Sequence, residues 1–530
     1  MQPDFTELPG VEDSAEFTSN MAIFTQRYQE VMARLVEAQA EDEHPLHADP
    51  LNVVPAFRDL ATQMATNPTA MWDATLKLWT AQGELMRRMM MGAPGQEDHA
   101  PVAAPKKGDK RFSDDEWSSN LVFDYIKQAY LLNSDWVQSV AHDTGDMSER
   151  DRRKVDFYTR NFVEAMSPTN FAATNPAVIR ETIAQKGGNL VKGVKALSRD
   201  VERGKGQLII SQTDMDAFEV GRDMAVTPGK VIWRTPITEL IQYSPTTEKV
   251  YAKPLFIVPP WINKYYILDL NEQKSLVKWL VAQGFTVFIL SWVNPGPEQS
   301  DETWESYMEN TSAAIDVVLA ETGQKSVNIV GYCAGGALVS TMLCHMANTG
   351  DKRVSSATLF TAQVEYTNAG ELQVFVDEET VKVVDEQMDK GYLPASSMAN
   401  AFNLLRSSDL IWNYVISNYM LGKEPFPFDM LYWNADSTSM PAQVHHFFLE
   451  QLYNRNMLAK GTMEVFGEKL DLADIKIPVY HVAPREDHIA PAASVYRGAK
   501  LMENAKHTFV VSGSGHIAGI VNAPQLGKYQ

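Results

Sequence analysis

Cysteine is scarce in this sequence: 530 residues hold two, Cys333 and Cys344. Two thiols build no disulfide framework. On one helix, eleven positions apart (344 − 333), they would lie roughly 16 Å apart along the axis, too far to bridge. Free thiols suit a reducing cytoplasm. Positive charge is also short, with 47 Lys and Arg against 67 Asp and Glu and a net charge of −20. That balance excludes nucleic acid as a main partner. It also obliges any anionic substrate to find a local basic patch. No apolar stretch approaches the roughly 18 residues of a membrane span. Met1 to Asn20 is acidic and lacks the charged-then-apolar order of a signal peptide. What remains is a soluble protein of ordinary composition, 45% hydrophobic and 22% charged, long enough for two domains.

Helical periodicity marks residues 18–42 and 69–92. The second stretch carries Met71, Trp72, Leu76, Leu78, Trp79, Leu85, Met86 and Met89 to Met91. It reads either as a core-facing helix or as an adaptable surface for an apolar partner, since Met repacks easily. Gly92 to Arg111, rich in Pro, Ala and Lys, reads as a linker. Trp117 to about Leu197 is helical again. From about Gln207, strand-length apolar runs alternate with helical patterns: Leu255–Val258, Val287–Leu290, Val327–Val330, Ala357–Phe360, Val479–Val482 and Thr508–Val511. This alternation predicts a parallel sheet covered on both faces. The long gap from Phe360 to Val479 predicts an inserted cap over the sheet's carboxyl edge, from about 362 to 440.

The chemistry gathers at those carboxyl edges. Gly331-Tyr332-Cys333-Ala334-Gly335-Gly336 follows an apolar run and precedes a helix-compatible stretch, Ala337 to Met346. It is a G-x-C-x-G nucleophile elbow, with small residues that let the backbone turn sharply and expose the thiol. The helix start behind it favours a thiolate through its dipole. The bland alternative is a Gly-rich junction with a structural Cys. α/β-Hydrolases place the acid and then the base after the nucleophile. Asp487 sits in Pro484-Arg485-Glu486-Asp487-His488-Ile489, and His516 in Gly513-Ser514-Gly515-His516-Ile517-Ala518-Gly519, each just after a strand. Glu486 and His488 are rivals, read as supporting or surface groups.

Several segments together resemble the polyhydroxyalkanoate synthases, the polyester polymerases of bacterial storage granules, in their single-subunit class I form. They are Val258-Pro-Pro-Trp-Ile-Asn-Lys-Tyr-Tyr-Ile-Leu-Asp269, Leu290-Ser-Trp-Val-Asn-Pro295, the Cys elbow, Asn403-Leu-Leu-Arg-Ser-Ser-Asp-Leu-Ile-Trp-Asn-Tyr414, Tyr432-Trp-Asn-Ala-Asp-Ser-Thr438, Arg485-Glu-Asp-His-Ile489 and Gly515-His-Ile-Ala-Gly519. The resemblance implies an α/β fold: an α/β-hydrolase with a mostly parallel central sheet, an inserted cap subdomain and a mainly helical N-terminal domain. The expected domains are 1–205 and 206–530. Carried over by position, the family's triad falls on Cys333, Asp487 and His516, and its Trp beside the active site on Trp433. The Ala-Gly after His516-Ile517 resembles synthases for short-chain groups.

The implied substrate is an (R)-3-hydroxyacyl coenzyme A thioester, with no separate cofactor and no metal. Attack by Cys333 exchanges one thioester for another and keeps the acyl group activated. The oxyanion hole should use the backbone N–H of Ala334 and a second from Trp261 or Ile262, because Pro259 and Pro260 have none. Asp487 either orients His516 or helps activate the incoming hydroxyl. Trp412, Tyr414, Tyr432 and Trp433 are candidates for excluding water, and Arg406 for receiving the phosphates of coenzyme A, against a solvated ion pair. The Met- and Trp-bearing helices are read as serving granule or partner attachment and self-association, as a homodimer at the granule surface in the cytoplasm. Two rivals stay open: a Cys thioesterase with the same triad, and a non-catalytic granule protein on a degenerate hydrolase fold.

Overall fold

Strands that are buried on both faces need apolar side chains at every position rather than at alternate ones. The computed structural model, which describes residues 14–41, 53–66, 68–91, 100–143, 147–523 and 527, has such strands at its centre. The sheet's strands are β1 (Gly229–Arg234), β2 (Thr238–Tyr243), β3 (Leu255–Val258), β4 (Val287–Trp292), β5 (Val327–Tyr332), β6 (Val354–Phe360), β7 (Val479–Pro484) and β8 (His507–Ser512), of which β3, β4 and β5 are the most deeply buried. They form one sheet in the order β1-β2-β4-β3-β5-β6-β7-β8. Only the β1–β2 and β2–β4 pairs are antiparallel. Along the central strands the side chains divide alternately. Phe256, Val258, Phe288, Leu290 and Ile329 enter one core. Leu255, Ile257, Val287, Ile289, Val330 and Tyr332 enter the other. The helices Ala334–Thr349 and Trp304–Thr322 pack on the first face, and Leu276–Ala282 against β4.

The chain divides into two compact units, Met215–Leu405 with Pro427–Gln530, and Met1–Asp214 with Arg406–Phe426. The second is helical. Its helices start where the sequence supplies caps: Ser148 accepts from the Asp151 N–H, and Asn175 from Ala177 and Val178 with Pro176 at the first helical position. The helix Pro68–Met91 buries Leu85 and packs on Leu121–Asp143. Its other face leaves Trp72, Leu76, Trp79, Met86 and Met90 between 48% and 77% exposed. The apolar stripe seen in the sequence is therefore two faces, one packed and one open. Of the expected linker, residues 92–99 lie outside the described residues, and 100–111 contain no helix.

The insertion between β6 and β7 spans 361–478 and holds the helices Glu378–Glu386, Ala395–Leu405, Asp429–Ala435 and Ala442–Phe447. Within it, Arg406–Phe426 belongs to the helical unit, although the sequence reading put it in the cap. Its polar groups find their partners there. Ser408 N–H donates to Glu164, and the side chain of Asn189 donates to the Met420 carbonyl at 2.8 Å. Asn418 donates to the Ser211 carbonyl and Gln212 to that of Leu410, both at 2.7 Å. Among the described residues no helix is long and apolar enough to cross a membrane.

Phe256 is fully buried in the middle of the sheet. Phe256→Ala should cost about 3–5 kcal/mol, read as lost hydrogen-exchange protection across β3, β4 and β5. Wild-type protection would contradict this packing.

Candidate active site

β5 ends in a turn that presents Cys333. Its backbone has φ 53° and ψ −126°, a conformation that residues with side chains rarely adopt. The Cys333 N–H donates to the Phe360 carbonyl at 2.9 Å, tying the turn to β6, and the helix Ala334–Thr349 starts at once. The two glycines that follow are steric requirements. A Cβ on Gly335 would lie 2.4 Å from the Val258 carbonyl oxygen, and one on Gly336 2.3 Å from the Ala362 Cβ. Cys333 stays partly exposed, whereas Cys344 is buried, and burial pushes its thiol up.

His516 and Asp487 reach the same edge from the loops after β8 and β7. Two backbone bonds join these loops, Arg485 N–H to the Ser512 carbonyl at 2.9 Å and Glu486 N–H to that of Ser514 at 3.0 Å. His516 Nδ1 lies 2.7 Å from Asp487 Oδ2, which leaves Nε2 free to serve Cys333, whose charge acts on the imidazole. The Asp487 carboxylate is wholly enclosed, with a side-chain exposure of 0%. Its Oδ1 accepts the N–H groups of Ile489 and Ala490 at 2.9 and 2.8 Å. Burial alone would hold the His516 imidazole neutral. Attraction to Cys333 and Asp487, with the hydrogen bond to Asp487, outweighs burial and pushes its pKa up to about 10. Glu486 is exposed and His488 half-buried, and neither takes the place of Asp487 beside His516.

Ala334 opens its helix, so its N–H has no intrahelical acceptor. Trp261 turns its side chain into the core, edge-on to Trp304 and Tyr307 at 5.4 and 5.7 Å, so only its backbone remains for the site. Ile262 is half-buried. Trp433 is 5% exposed, and its Nε1–H donates to the Lys264 carbonyl at 2.8 Å. Tyr432 packs edge-on to Phe218 at 5.5 Å. Trp433, Tyr432 and Cys333 share the core that contains Tyr332. Arg406, Trp412 and Tyr414 lie on the segment that packs with the helical unit. Arg406 is exposed and paired with Asp409, the ion pair weighed against phosphate binding.

Three tyrosines escaped the sequence reading. Tyr332 stacks on His516 with ring centroids 6.0 Å apart, and its hydroxyl donates to the His516 carbonyl at 3.3 Å. Its signal was its place inside the elbow motif. Tyr366 and Tyr453 are buried with rings 4.6 Å apart. Burial first, and the charge of Cys333 among other groups, raise both hydroxyls above the usual phenol range. They lie in the insertion, with no local motif to mark them.

Asp487→Asn should lower the His516 pKa from about 10, because a neutral amide no longer favours imidazolium while burial still opposes it. An NMR titration of the imidazole nitrogens reads this, and an unchanged pKa would contradict it. Linkage has a definite sign here. The folded pKa lies above the ordinary 6.5, so this stabilisation is full below 6.5 and fades as pH rises through about 10.

Residues 108–280 match the family model described as the N-terminus of poly-beta-hydroxybutyrate polymerase (PhaC), and 254–523 match that of the alpha/beta hydrolase fold. The poly(3-hydroxyalkanoate) polymerase subunit PhaC of Rhizobium etli is 47% identical over 489 residues, 91% of this chain and 77% of that protein. The poly(3-hydroxyalkanoate) polymerase of Methylorubrum extorquens is 49% identical over 465 residues, 87% of this chain and 74% of its own. The Cupriavidus necator subunit is 42% identical over 428 residues, 79% and 72% of the two chains. With the elbow, the sheet order and this likeness in agreement, the chain belongs to the poly(3-hydroxyalkanoate) polymerase family, built on an α/β-hydrolase fold.

Proposed function

We propose that this chain joins short-chain (R)-3-hydroxyacyl groups, delivered as coenzyme A thioesters, into polyester with release of coenzyme A. The observation that carries the reading is the Asp487–His516 hydrogen bond at the edge where a partly exposed Cys333, on a strained turn, acts on the imidazole through its charge. The thiolate of Cys333 attacks the thioester carbonyl, since the thiolate and not the thiol is the nucleophile. The bond from carbonyl carbon to coenzyme A sulfur breaks, and His516, protonated at rest, gives its proton to the departing sulfur. The product is again a thioester, so no driving force is lost. The 3-hydroxyl of the next unit then gives its proton to His516, attacks the acyl carbonyl and displaces the Cys333 thiolate. One ester bond has formed and the imidazolium is restored. The cycle uses no cofactor, because coenzyme A arrives with the substrate and leaves as product.

Asp487 acts in this cycle by orienting and charge-stabilising His516. Both of its oxygens are occupied and none of its side chain is exposed, so a substrate hydroxyl has no route to it. Tyr366, Tyr453 and Trp433, all buried, would keep water from an acyl group that it could otherwise hydrolyse. The open face of the helix Pro68–Met91 is the surface for the polyester granule, since Trp72, Leu76 and Trp79 form an apolar row on it.

Incubation with (R)-3-hydroxybutyryl coenzyme A should release thiol together with insoluble polyester. Free acid in place of polymer would make the protein a thioesterase, and no thiol at all would make it a non-catalytic granule protein. Asp487→Asn should slow coenzyme A release in a single turnover by about 100-fold or more and slow chain growth to match. Normal acylation with failed elongation would instead assign Asp487 to the incoming hydroxyl.

A further inference from the structure

The helix Asp429–Ala435 is fastened to the chain that follows β3. At its start, Asp429 accepts from Lys274 at 2.7 Å. Just past its end, Asp436 takes the ammonium of Lys264 and the hydroxyl of Tyr266, the latter at 2.9 Å. Between these, Trp433 donates Nε1–H to the Lys264 carbonyl, and beyond them the buried Thr438 donates its hydroxyl to the Trp261 carbonyl at 3.1 Å. The same chain is held from the sheet side. Trp292 Nε1–H donates to the Pro259 carbonyl at 2.9 Å, and Gly335 of the elbow packs against the Val258 and Pro259 carbonyls.

These bonds matter because a backbone N–H cannot be aimed by choosing a rotamer. It lies in a rigid plane with the carbonyl of the preceding residue, and in a trans peptide the two point in opposite directions. The Trp261 carbonyl and the Ile262 N–H share one such plane. The Thr438 hydroxyl that fixes the carbonyl on its own side therefore fixes the N–H on the side facing away from Thr438. Among the described residues the Ile262 N–H has no protein acceptor. Of the two expected donors, Trp261 and Ile262, only the Ile262 plane is fixed by a side chain in this way. Lys264 and Asp436 are partly exposed, at 33% and 27%, so solvent screens their pairing, and its use is geometric more than energetic. Trp433 is buried with its only polar atom occupied, which suits a brace better than a platform for substrate.

We propose that Thr438 is a positioning residue, backed by Trp433 and the Lys264–Asp436 pair, that fixes the Trp261–Ile262 peptide so that the Ile262 N–H is the second donor to the thioester oxyanion beside Ala334. The inference rests on the acyl-transfer reading above. Oxyanion donors act only where charge develops in the transition state, so loosening one slows chemistry more than it weakens binding.

The test is Thr438→Val, which keeps the shape and removes the hydroxyl, assayed in the full chain by rapid-quench release of coenzyme A from (R)-3-hydroxybutyryl coenzyme A. The acylation rate should fall about 10- to 100-fold with KM within about twofold of wild type. Thr438→Ser, which restores a donor, should recover most of the rate. Trp433→Phe, which removes the Nε1–H and keeps an aromatic ring, should show the same split and serves if Thr438→Val does not fold. Acylation at the wild-type rate in the folded variant, or a loss confined to KM, would overturn the proposal while leaving the reaction assigned. A wild-type protein that forms no acyl adduct on Cys333 would overturn the acyl-transfer reading itself, and the inference with it.

Discussion

Cys333 sits at φ 53° and ψ −126°, a conformation that costs a residue with a Cβ about 1–3 kcal/mol. The rest of the structure is arranged so that this cost is met and the turn cannot relax. The Phe360 carbonyl holds the Cys333 N–H, and buried side chains of β5 fill both cores on either side of the strand. Only glycine fits at 335 and 336, where the turn passes closest to its neighbours. With the turn fixed, the thiol projects from the sheet edge with the start of a helix beneath it. Every other group in the proposed cycle is placed with respect to that point.

The histidine is fixed by what surrounds it more than by its own loop. Tyr332, one residue before Cys333, stacks on the imidazole and donates its hydroxyl to the His516 backbone carbonyl, while the enclosed Asp487 holds Nδ1. An imidazole buried this deeply would stay neutral if it stood alone. Its raised pKa comes from the two groups that the turn and the β7 loop bring to it. Proton transfer to a leaving thiol needs a histidine that is charged before the substrate arrives. In the proposed reaction the pairing supplies that state from the outset.

Much of this was legible in the sequence, and the reasons are local. β3, β4 and β5 carry apolar-rich runs because both faces of the sheet are covered there, so their positions could be read directly, and shorter apolar stretches marked β6 to β8. β1 and β2 could not. β1 is mostly exposed and β2 alternates buried with half-buried residues, so neither gives an apolar run. The elbow was legible because its steric demands fall on consecutive residues, and Asp487 and His516 because each follows a strand directly. Arg406–Phe426 was misassigned because its partners Glu164, Asn189 and Ser211 lie more than 200 positions away in the sequence. Tyr366 and Tyr453 meet only through the fold of the insertion, and the bond from Thr438 to Trp261 spans 177 positions. No periodicity or spacing announces contacts of that kind.

The central claim is that the strained turn makes Cys333 the site of covalent chemistry. Acid quenching within the first turnover on (R)-3-hydroxybutyryl coenzyme A, followed by peptide mass mapping, tests it most directly. The account predicts a hydroxyacyl adduct on the peptide carrying Cys333 and none on that carrying Cys344. An adduct elsewhere, or coenzyme A released with Cys333 unmodified throughout, would contradict it.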